Sequence, residues 1–223
     1  MKRSGRLLMS FYKKDLMDTG HFGYSHLPTW RNTSSIMQYL SKDVIHELKG
    51  YDPIEELKGA MPQEFSSWHP LNQAQYLEIK ILLAGYLLSS QGERMAMANS
   101  VEGRYPFLDH NVAELSSRID PRLKLKGLRE KFVLKKAFKD DLPGKIFSRT
   151  KQPYGAPNKE SFFHDGQPKE TIREYFNHCS PLFDKQGVDK LISKCAQSKT
   201  LGFRDNSAFV GILSTLILSQ SMH

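Results

Sequence analysis

The hydrophobic positions of this chain recur mostly at three- and four-residue spacing, which predicts helices along most of its length. The strongest pattern runs from Leu71 to Leu88, where Leu77 and Ile81 mark one face and further apolar residues fill the other sides. Pro70 suits the first position of such a helix. Because a helix that is apolar nearly all round is typical of the middle of a core, we expect this one to be buried.

Turn and capping residues divide the rest of the chain into shorter helices. A further helix is predicted from Pro53 up to Pro62. The remaining predicted helices cover residues 35–48, 93–100, 110–119, 128–139, 168–178, 188–197 and 206–219. The last of them is predicted to be capped by Asp205 or Asn206. Residues 20–30 are predicted to be a loop that packs by its aromatic rings, and residues 149–165 a second loop.

No run of alternating strands and helices that would build a parallel sheet is found in the sequence. Leu123 and Leu125 alternate with lysines in one short extended piece. The predicted fold class is therefore all-α, predominantly helical. We interpret residues 1–223 as a single helical module, with a subdivision near 150–165 as the alternative.

Composition and charge narrow the class of protein. Hydrophobic residues make up 39 % and charged residues 25 %, values that exclude a disordered or fibrous chain. The net charge is +8 and the sequence pI is about 9.4. A basic balance can indicate nucleic acid, an anionic membrane or a phosphate-bearing ligand. Two interpretations stay open, solvated helix faces with a missing acidic partner surface, or a phosphate-facing role for residues 124–151.

Cys179 and Cys195 fit neither a disulfide framework nor a zinc spacing, so no metal site is expected. Two free thiols suit a reducing cytoplasm, and a single disulfide is the alternative. The apolar run Leu7–Met9 is too short for a signal peptide. The longest apolar stretch, residues 79–88, falls below the roughly 18–20 residues of a membrane span. We therefore predict a soluble, cytoplasmic protein.

The most informative block lies at residues 91–110, which read QGERMAMANSVEGRYPFLDH. It predicts a small-residue helix bearing Arg94, then an extended segment and a turn at Pro106. Glu102 and Arg104 leave an extended segment on the same side, so a structural ion pair is favoured over catalysis. Asp109 is predicted to cap the next helix.

This block resembles the signature of the glutamine-dependent asparagine synthetase family, in which small residues precede a Glu-x-Arg-x-Pro-Phe-Leu-Asp segment. The sequence pattern of the family continues downstream, where it agrees with residues 123–127 (LKLKG), Lys131 and Leu142-Pro143. Its Arg-x-Lys-Gln loop is similar to residues 149–157 (RTKQPYGAP). The likeness reaches upstream to residues 25–30 and covers about residues 21–160. Glu93 departs from the family's usual Asp.

The resemblance implies one part of a larger amide-forming enzyme. In that family a glutaminase domain releases ammonia, and a synthetase domain built on a pyrophosphate loop activates a carboxylate as its acyl-adenylate. Neither the pyrophosphate loop nor a nucleophilic cysteine at position 1 is found in this sequence. We therefore expect the chain to follow the sheet of an α/β synthetase domain and to supply the helices that close over its site. The expected partners are the missing N-terminal parts of the same protein and small-molecule substrates. Aspartate is the default carboxylate substrate. A homodimer is also considered. ATP and Mg²⁺ are expected for the full-length enzyme, and none is expected to bind this chain alone.

The resemblance also assigns candidate site residues. Lys151 matches the family's lysine that faces the adenylating carboxylate and the pyrophosphate, and a fixed cation there would stabilise charge in the transition state. Arg94 and Lys131 are weaker candidates for facing the phosphates. Glu102, Arg104 and Asp109 are interpreted as structural members of the motif.

A function of another class is the alternative, a stand-alone basic helical module that binds nucleic acid or an acidic protein. Against it, the aromatic residues lie at core-like helical spacing and do not alternate with basic residues, as a stacking platform for single strands requires. We therefore expect neither a nucleic-acid nor a membrane partner.

Overall fold

A computed structural model describes residues 18–150, 158–179, 181–198 and 201–222, and these residues are predominantly helical. Within those ranges the strands form two short antiparallel hairpins. Leu125–Lys126 pairs with Arg129–Glu130, and Phe163–His164 pairs with Gln167–Pro168. The predicted all-α fold class is confirmed.

The chain divides into two compact units. The first, here called the core unit, comprises Met1–Gly20, Ser25–Gly59 and Tyr154–His223. The second, here called the motif unit, comprises His21–Tyr24 and Ala60–Pro153. The single module predicted over 1–223 stays a prediction.

The core unit is built from short helices packed around one long C-terminal helix. Its described helices are Leu27–Thr33, the 3-10 turn Ser34–Tyr39, Lys42–Glu47, Pro53–Gly59, Asn158–Phe162, Glu170–Asn177, Lys185–Gln197 and Phe203–Ser221. Phe209 lies fully buried at the centre, with the rings of Phe162, Phe163 and Phe176 at 5.2–5.5 Å from its own. Aromatic pairs at such distances contribute about 0.5–1.5 kcal/mol beyond their buried area.

One tertiary contact interrupts the helix predicted over residues 35–48. The chain turns extended at Leu40, which forms a β-bridge with Phe183. The backbone N–H of Ser41 donates to the Leu182 carbonyl at 2.9 Å, and the Asp184 N–H donates to the Tyr39 carbonyl at 2.8 Å. The single helix was therefore a wrong prediction, because a non-local strand pairing takes these backbone groups.

Helix starts that depend on a local cap agree better with the sequence. Asp52 accepts from the backbone N–H of Ile54 at 2.8 Å and precedes Pro53–Gly59, as predicted.

The last helix begins at Phe203, and the predicted caps Asp205 and Asn206 are wrong. Asp205 instead forms an ion pair with Lys194 at 2.8 Å, so its carboxylate serves a neighbouring helix.

The motif unit is a series of short helices. They are the 3-10 turn Gln63–Ser67, then Pro70–Leu77, Glu78–Glu93, Arg94–Ala98, the 3-10 turn Pro106–Leu108, His110–Arg118, Pro121–Lys124, Phe132–Ala137 and Gly144–Ser148. Its buried apolar side chains are Phe65 and Leu77 among the described residues, far fewer than in the core unit.

The strongest predicted helix is present, but after Leu77 none of its residues is buried. Pro70–Leu77 is α-helical and continues into Glu78–Glu93, here called the wide helix because its hydrogen bonds follow the five-residue spacing of a π-helix. Ile79, Leu82 and Tyr86 on the wide helix are 41–54 % exposed. The prediction of a core helix was wrong in this respect, since periodicity shows which residues need cover but not what covers them.

Two predicted boundaries in this unit also differ. The break predicted between Leu88 and residue 93 is absent, because the helix continues through Gly92 and both Glu93 and Arg94 keep helical dihedrals. The helix predicted from Leu128 begins instead at Phe132. Residues 125–130 form a hairpin whose two-residue loop starts with Gly127 at φ +59°, the position where a type II′ turn requires glycine.

The loop predicted over residues 149–165 is also partly structured. Asn158–Phe162 is a helix, and Asp165 with Gly166 forms the two-residue loop of the second hairpin, both at positive φ as in a type I′ turn. In the region predicted as an aromatic loop, Leu27–Thr33 is helical. Phe22 packs there by its ring as predicted, with its centroid 6.2 Å from that of Phe65.

Candidate functional site

The signature segment starts at a helix end that fixes its direction. Arg94–Ala98 ends with the Val101 N–H donating to the Ala96 carbonyl at 2.9 Å and the Ser100 N–H donating to Met97 at 3.1 Å. This is a Schellman motif, in which the residue after the cap adopts the left-handed conformation usually taken by glycine. Ser100 occupies that position with φ +56°. The chain therefore leaves the helix in one defined direction, toward Glu102.

Glu102 and Arg104 form an ion pair on the surface of this segment. The Arg104 Nη2 donates to Glu102 Oε2 at 2.7 Å, and both side chains are about 80 % exposed. Exposed pairs of this kind contribute little to stability because water and salt screen them. Both groups can therefore exchange their mutual contact for a ligand at small cost.

Tyr105 was not singled out by the sequence, yet its ring fills the space beside two glycines. A Cβ added at Gly103 would lie 2.6 Å from Tyr105 Cζ, and one at Gly92 would lie 3.5 Å from Tyr105 Oη and 2.9 Å from the Leu87 carbonyl oxygen. Such approaches exclude any side chain at Gly103 unless Tyr105 moves. The Glu-x-Arg segment is thus held against the end of the wide helix through Tyr105.

Asp109 caps the next helix, His110–Arg118, as predicted. Its carboxylate accepts from the Asn111 N–H at 2.9 Å and from the Val112 N–H at 3.4 Å. These bonds satisfy two of the donors that a helix start leaves without an internal partner. Asp109 therefore acts as the cap of this helix.

Lys131 stands at the junction of the first hairpin and the helix Phe132–Ala137. Its backbone is left-handed, with φ +56° and ψ +35°, and its side chain is exposed. A lysine in this conformation carries a cost of about 1–2 kcal/mol that surrounding structure must offset. Strained non-glycine residues cluster at functional sites. The backbone geometry therefore supports Lys131 as a candidate site residue more strongly than the sequence alone does.

The strain at Lys131 leads to a stability prediction. We expect Lys131→Asn to keep the free energy of unfolding within about 0.5 kcal/mol, because Asn tolerates the left-handed region. Lys131→Val is expected to lower it by about 1–2 kcal/mol, since a β-branched residue does not. Urea unfolding followed by circular dichroism measures both values. Equal stability of the two variants would show that the backbone at Lys131 relaxes freely.

Lys151 lies outside the described residues, so its surroundings stay a prediction. The chain just before it is tied to the same helix that follows Lys131. Lys135 Nζ donates to the Arg149 carbonyl at 3.2 Å. The described contacts pair Glu102 with Arg104 and hold Arg149 against Lys135, whereas Arg94 and Lys131 take no part in either contact.

Neither a metal centre nor a membrane span emerges from the part of the chain that the structure describes. Those residues hold no group of three His, Cys, Asp or Glu side chains able to bind a metal ion. In the same residues, no helix combines the length and apolar character needed to cross a bilayer. Cys179 and Cys195 are free thiols. Burial raises the pKa of the Cys179 thiol, so it is not an activated nucleophile.

Comparison with known proteins places these features in one family. An amidase of Penicillium rubens is 40 % identical over 130 residues, 56 % of this chain and 18 % of that protein. An amidase of Gibberella zeae is 34 % identical over 144 residues, 62 % of this chain and 19 % of its own. A glutamine-hydrolysing asparagine synthetase of Bacillus subtilis is 34 % identical over 113 residues, 49 % and 18 % of the two chains.

The matched part thus spans about a fifth of the length of these curated relatives. No solved structure matches significantly. The profile of the asparagine synthase family, however, matches residues 9–220, nearly the whole sequence. Since that match includes the hairpin, the Glu-x-Arg segment and the helices of the core unit, this chain belongs to the asparagine synthase family.

Proposed function

We propose that this chain is part of a glutamine-hydrolysing, asparagine synthetase-like enzyme that forms an amide from a carboxylate, ATP and ammonia. The observation that carries the proposal is the family match over residues 9–220. The two amidases and the asparagine synthetase among its relatives have names that all concern an amide bond. Aspartate is the first carboxylate to test.

The chemistry proposed for the complete enzyme has two steps. A carboxylate oxygen attacks the α-phosphorus of ATP, and the bond to pyrophosphate breaks, giving an acyl-adenylate. Ammonia, released from glutamine, then attacks the acyl carbon, loses a proton to a base, and displaces AMP. The negative charge on the phosphorus and on its leaving group grows during the first step, so fixed cations accelerate it.

Within this chain, Lys151 is the proposed donor to the phosphate oxygens. The Gly- and Pro-containing loop at 149–157 is the proposed lid that brings it there. Lys135, which holds the Arg149 carbonyl at 3.2 Å, gives that lid a fixed hinge on the helix Phe132–Ala137. Lys131 at the start of this helix and Arg94 are proposed to face the phosphates in the complete enzyme.

The described residues suit the phosphate groups of ATP but not its Mg²⁺ ion. Exposed cations at Arg94 and Lys131 suit phosphate oxygens. By contrast, Mg²⁺ needs oxygen ligands, and no cluster of three acidic or metal-binding side chains exists among the described residues. We therefore propose that the metal is held by other parts of the enzyme and assign it no step here.

The surface of the motif unit supports a role inside a larger assembly. Only Phe65 and Leu77 are buried among its described apolar residues, while Phe107 and Met97 are about 70 % exposed. A unit of this size with so little buried apolar surface cannot offset its conformational entropy alone. The proposed cover is the pyrophosphate-loop part of the same enzyme, which the glutaminase part precedes.

The structure gives no support to a nucleic-acid-binding module. Phe65, Trp68 and Tyr76 pack against one another at tilted or edge-on angles, with centroids 5.3–5.9 Å apart, and form a small aromatic cluster of the motif unit. A platform for single strands needs such rings open beside basic side chains. We therefore retain the enzyme as the proposal.

The proposal is tested by nucleotide binding to two proteins. The isolated chain is expected not to bind ATP at micromolar concentration, because it has no glycine-rich phosphate cradle. The same chain joined to the proposed pyrophosphate-loop part is expected to bind it. Calorimetry measures both, and micromolar binding of ATP by the isolated chain would contradict the assignment.

A further inference from the structure

The first hairpin, in which Leu125–Lys126 pairs with Arg129–Glu130, projects a leucine into solvent. Gly127 and Leu128 form its two-residue loop, and Leu128 is fully exposed. Such turn positions usually carry glycine or small polar residues, because these suit the backbone of the turn and the surrounding water. Leu128 therefore adds nothing to the core, and the proposed amide-forming chemistry assigns it no role.

Two cations flank this leucine on one face of the hairpin. Lys126 and Arg129 stand directly opposite each other in the antiparallel register, so their side chains lie on the same face. Glu130 is paired with Leu125 and lies on the other face. Like charges directly opposite each other destabilise a strand pair. Within the described residues, neither Lys126 nor Arg129 forms a salt bridge that offsets this repulsion.

The hairpin is nevertheless held against the helix that follows it. Lys126 Nζ lies 5.0 Å from the centroid of the Phe132 ring, a cation–π contact that joins the hairpin to Phe132–Ala137. The charge around it stays one-sided, because residues 121–137 carry seven Lys and Arg residues against one acidic residue, Glu130. A fixed cluster of one sign attracts and orients a partner of the opposite sign.

We propose that the hairpin tip, defined as Lys126, Leu128 and Arg129, docks an acidic segment of another protein that also carries apolar side chains. Carboxylates of that segment accept hydrogen bonds from the Lys126 ammonium and from the planar fork of the Arg129 guanidinium. An apolar side chain of the segment covers Leu128. This docking surface is additional to the proposed amide-forming chemistry and stands whether or not that proposal holds.

A nucleic acid or a lipid surface fits the hairpin tip less well. Single strands stack their bases on open aromatic rings, whereas the ring beside the tip, Phe132, is in contact with Lys126. Binding to a lipid surface scales with the apolar area that enters it, and the tip offers one leucine. An acidic protein segment with apolar side chains uses both the cations and Leu128.

The test is a titration of a short fluorescent peptide, in which Glu alternates with Leu, with the whole 223-residue chain at constant ionic strength. Fluorescence anisotropy is expected to show saturable binding. Arg129→Gln is expected to weaken it on the order of 10-fold, as when one charged hydrogen-bond donor is lost. This variant should not lower the melting temperature, because it removes the repulsion against Lys126. Leu128→Ser is expected to weaken binding on the order of 10-fold through the lost apolar contact.

Matched controls separate the hairpin tip from general attraction. Lys190→Gln removes an exposed charge from the core unit, and Leu115→Ser removes a leucine that is 67 % exposed on the helix His110–Arg118. Both are expected to leave the affinity unchanged. A peptide of Glu alone is expected to bind more weakly than the Glu–Leu peptide, and this difference should vanish in Leu128→Ser.

Three results would overturn the proposal. The first is a Glu–Leu peptide that shows no saturable binding to the chain. The second is a control variant that weakens binding as much as Arg129→Gln does. The third is tighter binding of single-stranded poly(U) RNA or of phosphatidylserine vesicles, lost in Arg129→Gln, which would assign the hairpin tip to a nucleic acid or a membrane.

Discussion

Replacing Lys151 by Met is expected to lower kcat for adenylation on the order of 100-fold or more in the complete enzyme. The Met side chain keeps most of the stem and removes the charge. If the lid closes only with nucleotide and carboxylate bound, Lys151 donates more strongly in the transition state than in the ground state, so kcat falls. Loss of one preorganised donor has an effect of about this size. Pyrophosphate release and amide product, measured side by side, give the value.

The control for this variant is Lys145→Met, which removes an exposed lysine from the neighbouring helix Gly144–Ser148. It is expected to leave kcat unchanged. Both variants should keep the free energy of unfolding within about 0.5 kcal/mol, since loop and surface lysines contribute little to a core. Glutaminase activity, proposed for another domain, should survive in both. Full synthetase activity of Lys151→Met would show that the lysine is a bystander.

The second large effect concerns the uncovered apolar surface of the motif unit. We expect the isolated chain to self-associate, because exposed apolar patches larger than a few hundred Å² usually mark surfaces that bind another protein or aggregate. Among the residues of this unit that the structure describes, nineteen large apolar side chains are exposed, with Met97 at 71 % and Phe107 at 70 %. Burying about 100 Å² of each side chain at about 25 cal/mol per Å² contributes about 2.5 kcal/mol per residue.

The double variant Met97→Gln with Phe107→Gln is therefore expected to raise the dissociation constant of self-association about 100-fold or more. Leu218→Gln, an exposed leucine of the core unit at 59 %, is the matched control and should change it little. Sedimentation over a range of concentrations measures all three proteins. A strictly monomeric wild-type chain that binds no hydrophobic dye would contradict the account and favour an autonomous domain.

The sequence predicts best those features that residues within one turn decide. The cap at Asp109 and the helix start after Asp52 follow from a side-chain oxygen and the backbone N–H groups two or three positions later. The left-handed residues that end or begin helices were not predicted. Ser100 and Lys131 stand where glycine is usual, and only their φ of +56° reveals them.

Features set by distant residues could not be predicted in the same way. The pairing of Leu40 with Phe183 interrupts a helix that local spacing favours, and nothing near Leu40 announces it. The apolar residues of the wide helix indicate that cover is needed, but the covering surface is outside their own pattern. Asp205, expected as a cap, pairs with Lys194 because another helix comes near.

The candidate site is a third case. The sequence favoured a structural ion pair over catalysis for Glu102 and Arg104 without naming the partners, and the structure pairs the two with each other at 2.7 Å. Lys151 entered only through the resemblance of residues 149–157 to a family loop, since a single lysine beside glycine and proline has no chemistry of its own. The close approach of Tyr105 to Gly103 is visible only in the three-dimensional structure, because it leaves no trace in the spacing of residues.

Amide formation through an acyl-adenylate, the reaction proposed for the complete enzyme, transfers one carboxylate oxygen to AMP. The complete enzyme is incubated with ATP, glutamine and aspartate, or another carboxylate, labelled with ¹⁸O in the reacting group. We expect an amide product and AMP that carries one ¹⁸O, because the carboxylate oxygen that attacked phosphorus leaves with AMP. Two results would contradict the acyl-adenylate route. One is amide formation with ADP as the nucleotide product and the label in inorganic phosphate; the other is the absence of ATP-dependent amide from every carboxylate offered.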